Sequence, residues 1–132
     1  MSKNPVVHFE MPYDDVGRLA GFYEKAFGWT MNRLGPEMGS YVVAHTAETG
    51  EDMMVKTPGT INGGFSPRNE EYRETRVVIS VPDIQAAMKA VKGAGGKVKG
   101  DPVEIPGIGR YVSFTDTEGN KVAMLQPRSI GG

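Results

Sequence analysis

Two residues near the start of the sequence have side chains whose types and spacing suit acid–base chemistry. His8 and Glu10 lie two residues apart in the run Val6–Met11, whose alternation of side chains predicts a β-strand. Residues two apart on a strand point to the same face, so the imidazole and the carboxylate would lie side by side. Such a pair can act as a general base, because histidine changes its charge near neutral pH.

A third candidate, Arg76, stands just before a second predicted strand, Val77–Val81. If its guanidinium faces the same pocket, it could hold a carboxylate, phosphate or enolate oxygen through two parallel hydrogen bonds. With His8 and Glu10 it would suit an acid–base reaction or the capture of a small anionic ligand. A structural network, in which Arg76 pairs with Glu10 and His8 completes the set, is the alternative that the sequence leaves open.

An internal repeat places these residues on corresponding strands. Asp14 or Asp15 is predicted to cap the first helix, and Gly28 is predicted to end it. Asp15 aligns with Asp83 at the start of the second helix. The same alignment, without a gap, sets Arg76 at the position of His8. Each half is predicted to contain a strand, a helix and about three further strands, which is an α+β unit.

The repeat also sets the predicted boundaries within one domain that covers residues 1–132. Module one should span about residues 5–56 and module two about residues 75–127. A turn in each module leads into a short apolar strand, Met53–Val55 in the first and Val122–Leu125 in the second. Residues 57–74 are rich in glycine, proline and charge, which predicts a linker with one short strand at Ile61–Phe65.

Composition excludes several classes of function. The sequence has no cysteine, so disulfides and thiolate metal sites are excluded. A formal net charge of −1 gives no basic excess for nucleic acid. No apolar run is long enough to cross a bilayer, and the first residues do not form a signal peptide. We therefore predict a cytoplasmic protein that binds neither nucleic acid nor membranes.

Six short motifs follow one another over nearly the whole chain: Val7–Pro12, Asp14–Val16, Phe22–Tyr23, Phe27–Trp29, Ile61–Phe65 and Asp116–Asn120. Their order and spacing resemble the vicinal oxygen chelate superfamily, which includes glyoxalases, extradiol dioxygenases and bleomycin-resistance proteins. The resemblance implies the α+β class, with two paired βαβββ modules that curve into a half-open barrel around a pocket. It also implies a homodimer of bacterial origin.

The resemblance implies that, in the metal-dependent members, side chains of the first and last strands of each module hold a divalent ion. This ion chelates two neighbouring substrate oxygens. The internal repeat assigns these four positions to His8, Met53, Arg76 and Ala123. Methionine is a soft ligand, arginine is always cationic and alanine has no donor atom. We therefore expect no cofactor and no standard metal site; a divalent metal, if bound, would use His8 and Glu10.

The expected partner is a small organic molecule, which can be anionic. We predict that the residues lining its pocket are Trp29, Tyr41, Met53, Phe65 and Ala123. For Trp29 the alternative is a place in the core, because an indole is a large apolar group. His45, the second of two histidines, is predicted to be exposed or to lie on an edge strand.

Four functions follow in order of preference. The first is a metal-independent small-molecule-binding protein of the vicinal oxygen chelate type, whose lyase or isomerase activity stays open. The second is a metal-dependent glyoxalase or dioxygenase, and the third is a drug-binding protein of the bleomycin-resistance kind. The net charge of −1 and the pocket arginine argue against the third, which captures a cationic drug. The fourth is a protein-interaction module.

Overall fold

The computed structural model describes residues 3–51 and 54–128. Two compact units divide the chain, the first formed by His8–Thr75 and the second by the remaining described residues. Each unit contains a strand followed by a helix and three further strands. The predicted α+β class with two βαβββ modules is confirmed. Neither helix among the described residues is long and apolar enough to cross a membrane.

The first unit forms a four-stranded sheet with one helix. Its strands follow the order β2-β3-β4-β1, in which β1 and β4 run parallel and the other neighbours run antiparallel. A 3₁₀ turn at Pro36–Met38 lies between β2 and β3. The elements are β1 (Val6–Tyr13, which belongs to this unit from His8 onward), α1 (Val16–Phe27), β2 (Thr30–Arg33), β3 (Val42–His45) and β4 (Asn62–Pro67).

Helix α1 begins and ends as its sequence predicts. The carboxylate of Asp15 accepts a hydrogen bond from the backbone N–H of Arg18, and this bond satisfies a free donor of the first turn. Gly28 ends the helix at φ 72°, a left-handed conformation that glycine adopts without strain. One side of the helix then packs on the sheet, where the buried core consists of Ala20, Met31, Val42, Ala44 and Phe65.

The second unit repeats this plan. Its sheet has the order β5-β8-β7-β6, and β5 and β8 run parallel as β1 and β4 do. Asp83 caps the helix, because its carboxylate accepts hydrogen bonds from the backbone N–H groups of Gln85 and Ala86. The elements are β5 (Arg76–Ser80), α2 (Ile84–Gly93), β6 (Lys97–Ile105), β7 (Gly109–Thr115) and β8 (Lys121–Pro127).

The last strand of the first module differs from the sequence prediction. It is β4, Asn62–Pro67, which lies inside the segment assigned to a linker. In the segment predicted to be a strand, Met53 lies outside the described residues and Val55 makes only an isolated bridge with Thr49. The turn predicted before this segment is followed instead by a local contact, in which the Gly50 N–H donates a hydrogen bond to the Met54 carbonyl.

Candidate functional site

One side of the first unit's sheet is polar. The residues that pack toward α1 are apolar, and side chains alternate along a strand, so their neighbours point to the opposite side. We call that opposite side the polar face. It carries His8 and Glu10 of β1, Tyr41 just before β3, His45 of β3, and Asn62 and Gly64 of β4.

Three polar residues form a row across β1, β4 and β3. His8 pairs with Asn62 in the parallel register, and Ala44 pairs with Gly63, which sets His45 beside Asn62 on its other side. Asn62 is 5% exposed and its amide is fixed at both ends. Its Oδ1 accepts a hydrogen bond from the Thr46 N–H at 2.9 Å, and its Nδ2 donates to Thr49 Oγ1 at 2.8 Å.

The position of His45 corrects the sequence prediction. Its strand, β3, lies between β2 and β4, so it is not an edge of this sheet, and the side chain is partly buried. Its Nε2 atom is shielded from solvent and has no hydrogen-bond partner among the described residues. A buried imidazole nitrogen without a partner is costly, unless a bound molecule supplies the hydrogen bond. His45 therefore joins the candidate site.

Burial lowers the pKa of His8 below the ordinary histidine value, and the nearby charge of His45 lowers it further. At neutral pH the His8 imidazole is therefore neutral and keeps one nitrogen lone pair. That lone pair can accept a hydrogen bond or a proton from a bound molecule. His8 has the protonation state that a general base needs.

The lowered pKa of His8 predicts a loss of stability in mild acid. The unfolded chain binds a proton at His8 more readily than the folded chain does, so the free energy of unfolding should fall as the pH drops below about 6.5. Above that pH the penalty is absent. Urea unfolding between about pH 5 and 8 would show a smaller fall in His8→Gln than in the wild type. Equal pH dependence in both proteins would contradict this assignment.

A tyrosine ring fills the second row of the polar face. Glu10 pairs with Gly64 across β1 and β4, and Tyr41 Oη donates a hydrogen bond to Glu10 Oε2 at 3.1 Å. A Cβ atom added at Gly64 would overlap the hydroxyl and the ring of Tyr41. Glycine at position 64 therefore makes the room that Tyr41 occupies. On the other side of β4, Gly63 gives the same room to the ring of Phe9.

The other predicted site residues lie elsewhere. Arg76 is 8% exposed at the start of β5, and Ala123 is buried in β8 beside Val78; both belong to the second unit. Trp29 and Phe65 pack in the helix-side core of the first unit, so the structure does not place them with Tyr41 on the polar face. The cause is strand alternation, which turns Phe65 away from the face of Gly64. The predicted pocket residue Met53 lies outside the described residues.

Trp29 has a clear structural role. Its ring stacks on Tyr23 with centroids 4.6 Å apart and planes 8° from parallel, and Phe9 lies at 5.7 Å. Such aromatic packing stabilises the contact between α1 and the sheet. The alternative that the sequence left open, a place in the core, is the one that the structure shows.

Comparison with known proteins agrees with this geometry. A family of bleomycin resistance protein-like N-terminal domains matches residues 6–47. A glyoxylase-like domain-containing protein of Didymella fabae is 32% identical over 120 residues, which cover 87% of this chain and 88% of that protein. This chain belongs to the glyoxalase-like proteins of the vicinal oxygen chelate superfamily. That membership confirms the resemblance inferred from the motifs.

A second relative and a solved structure differ in what they share with the chain. A probable chloroplastic lactoylglutathione lyase of Arabidopsis thaliana is 28% identical over 83% of this chain, which spans only 31% of that protein. A solved Streptomyces coelicolor methylmalonyl-CoA epimerase in complex with 2-nitronate-propionyl-CoA has a TM-score of 0.71. It covers 99% of both chains at 15% identity, and this likeness shows the fold alone.

The metal positions of this glyoxalase-like chain can now be corrected. The repeat aligns Glu10 with Val78, and these residues pair with Gly64 and Ala123 in their parallel strands. Gly64, not Met53, is therefore the counterpart of Ala123. His8 is the one good ligand among the four positions, since glycine and alanine have no donor side chain and Arg76 is cationic.

The described residues 3–51 and 54–128 contain no group of three or more His, Asp and Glu side chains that could hold a metal ion. The residues present at the family's ligand positions do not fit a divalent ion, which needs three or four converging oxygen or nitrogen donors. What the polar face offers instead is the neutral imidazole of His8, the buried carboxylate of Glu10 and the hydroxyl of Tyr41.

Proposed function

We propose that this chain binds a small organic molecule on the polar face of its first unit, without a divalent metal. The observation that carries the proposal is the position of Tyr41. Its ring fills the space that a metal-binding side chain at position 64 would occupy, and its hydroxyl contacts Glu10. The polar face then offers hydrogen-bonding groups in place of a Lewis acid.

The groups on the polar face favour a ligand with hydroxyl, enol or carbonyl oxygens. Neutral His8 can accept a proton or a hydrogen bond, and the buried Nε2 of His45 offers a further contact. Asn62 cannot rotate freely, because both ends of its amide are bonded. In a reaction, His8 would take a proton from the ligand, while Glu10 and Tyr41 orient it.

The names of similar proteins support small-molecule chemistry. One is a lactoylglutathione lyase, and another is an epimerase solved with a propionyl-CoA compound. A fold hosts many reactions, so these names give a substrate class to test first, the thioesters and hydroxy acids. The role predicted for Arg76, which is to hold an anionic oxygen, stays a prediction. Arg76→Ala should weaken anionic ligands more than neutral ones.

A thermal-shift screen with metal analysis tests the proposal. We expect no stoichiometric metal after dialysis against Mn, Fe, Ni and Zn in turn, and an increase in Tm with a thioester, a hydroxy acid or an aromatic carbonyl compound. A ligand at a hundredfold excess over its Kd stabilises a protein by about 2.7 kcal/mol. The increase should disappear in His8→Gln and His45→Gln. It should persist in Glu24→Gln, a control on the exposed side of α1.

A metal-dependent lyase is the second candidate, because a relative carries the lyase name and His8 stands at the first ligand position. One metal ion per chain, together with a catalytic rate that a chelator abolishes and the metal restores, would favour this candidate. Such a result would overturn the metal-independent proposal. An increase in Tm that a small molecule still produces in the presence of a chelator would support the metal-independent proposal.

A further inference from the structure

A cleft in the second unit is not part of the polar face. It lies between α2, the sheet and the N-terminal residues Lys3 and Asn4, and it has a volume of about 500 Å³. Apolar side chains line it, among them Ala87, Ala90 and Phe114. Its size lies within the range of small-molecule sites, about 300–1,000 Å³.

The internal repeat explains why the cleft exists. The alignment of Asp15 with Asp83 pairs Leu19 with Ala87, Phe22 with Ala90 and Tyr23 with Val91. At each of these positions the second module has the smaller side chain.

In the first unit, Leu19 and Tyr23 pack against the helix-side core together with Trp29. At the positions of Leu19 and Tyr23, α2 of the second unit has Ala87 and Val91, whose side chains are smaller. Since the helix and the strands keep the same order in both units, the smaller side chains leave open the space that the first module fills.

Among the described residues that line the cleft, one is charged. This residue is Lys3. The N-terminal segment lies beside β5, because the Pro5 carbonyl accepts a hydrogen bond from the Ser80 N–H at 2.9 Å. A ligand with an apolar chain inside the cleft and a carboxylate near the Lys3 ammonium would match both the apolar lining and the positive charge.

We propose that this cleft is a second ligand site, which takes an apolar monocarboxylate such as a medium-chain fatty acid. The apolar chain lies between α2 and the sheet, and the carboxylate contacts Lys3. The site is independent of the polar face, because none of the residues that line it belongs to the first unit.

Calorimetric titration with octanoate tests this site in the whole chain. We expect saturable binding at one site in the wild type and no detectable binding in Val91→Tyr or Ala87→Leu. Both changes restore residues of the first module and fill the cleft. Lys3→Ala should weaken octanoate by about twofold to fivefold, the effect of an exposed ion pair, and leave 1-octanol binding unchanged. Lys89→Ala is the matched control, because Lys89 is an exposed residue of α2 that does not line the cleft.

Absence of saturable octanoate binding to the wild type would overturn the proposal. So would wild-type affinity in both filled variants, provided that urea unfolding shows them to be folded. His8→Gln should bind octanoate as the wild type does. This variant therefore separates the two proposals, since failure of the polar face leaves octanoate binding intact and failure of the cleft leaves ligand binding at the polar face intact.

Discussion

Replacement of Phe65 by alanine should lower the free energy of unfolding by about 3–5 kcal/mol. The side chain is 1% exposed and is among the largest fully buried ones in the described residues. Its ring contacts Tyr23 at 5.4 Å and Phe9 at 6.2 Å between centroids. Removal of the ring would leave a cavity that the paired strands β1, β3 and β4 cannot close. Equilibrium urea unfolding at neutral pH would measure the loss.

Phe22→Ala is the matched control for this change. Phe22 is an aromatic residue of the same unit, but it is 56% exposed on α1, so its replacement should change stability by less than about 1 kcal/mol. Equal losses in the two variants would contradict the placement of Phe65 in the core. A Phe65→Ala protein with wild-type stability and impaired ligand binding would restore the pocket assignment made from the sequence.

Much of the fold follows from local patterns in the sequence. Alternation along Val6–Met11 predicts that Phe9 and Met11 share one face while His8 and Glu10 share the other, and Phe9 and Met11 do pack on the helix-side core. The capping carboxylates of Asp15 and Asp83 stand where the two helices begin. These features are local, so a few neighbouring residues determine them.

Strand β4 is difficult to predict as the last strand of the first module, because its residues give a weak strand pattern. Asn62–Pro67 contains two glycines, and glycine weakens a strand signal. The strand is held by parallel pairing with β1, more than fifty positions earlier in the chain, for which no short motif exists. For this reason the sequence predicts only a short strand within a linker at Ile61–Phe65 and assigns Met53 to the position that Gly64 holds.

In the candidate site, too, residue types can be predicted from the sequence but contacts between distant residues cannot. Sequence reasoning selects His8, Glu10 and Tyr41 by residue type, yet it does not show that the Tyr41 hydroxyl reaches Glu10 across 31 positions. It also passes over Asn62 and His45, although strand alternation sets His45 on the face of Tyr41. A side chain's partner depends on strand register, which is a property of the folded sheet.

Gly64→Ala should displace Tyr41 from Glu10, lower the free energy of unfolding by about 1–3 kcal/mol and abolish ligand binding at the polar face. The added methyl group would occupy the place of the Tyr41 hydroxyl and part of its ring. Since Gly64 lies in a regular strand with ordinary backbone angles, the effect comes from this overlap and not from backbone strain. Urea unfolding and a thermal-shift assay would measure the two losses.

A double-mutant cycle with Tyr41→Ala identifies the cause. Once the ring is absent, Gly64→Ala should cost much less, because the methyl group enters vacant space. Gly21→Ala is the control, since a Cβ atom there meets nothing within 4 Å, and alanine in a helix is favoured over glycine by about 1 kcal/mol. If Gly64→Ala costs the same with and without Tyr41, the ring does not occupy that position. Tyr41 would then not stand in the place of a metal-binding side chain, and the metal-dependent lyase would become the favoured function.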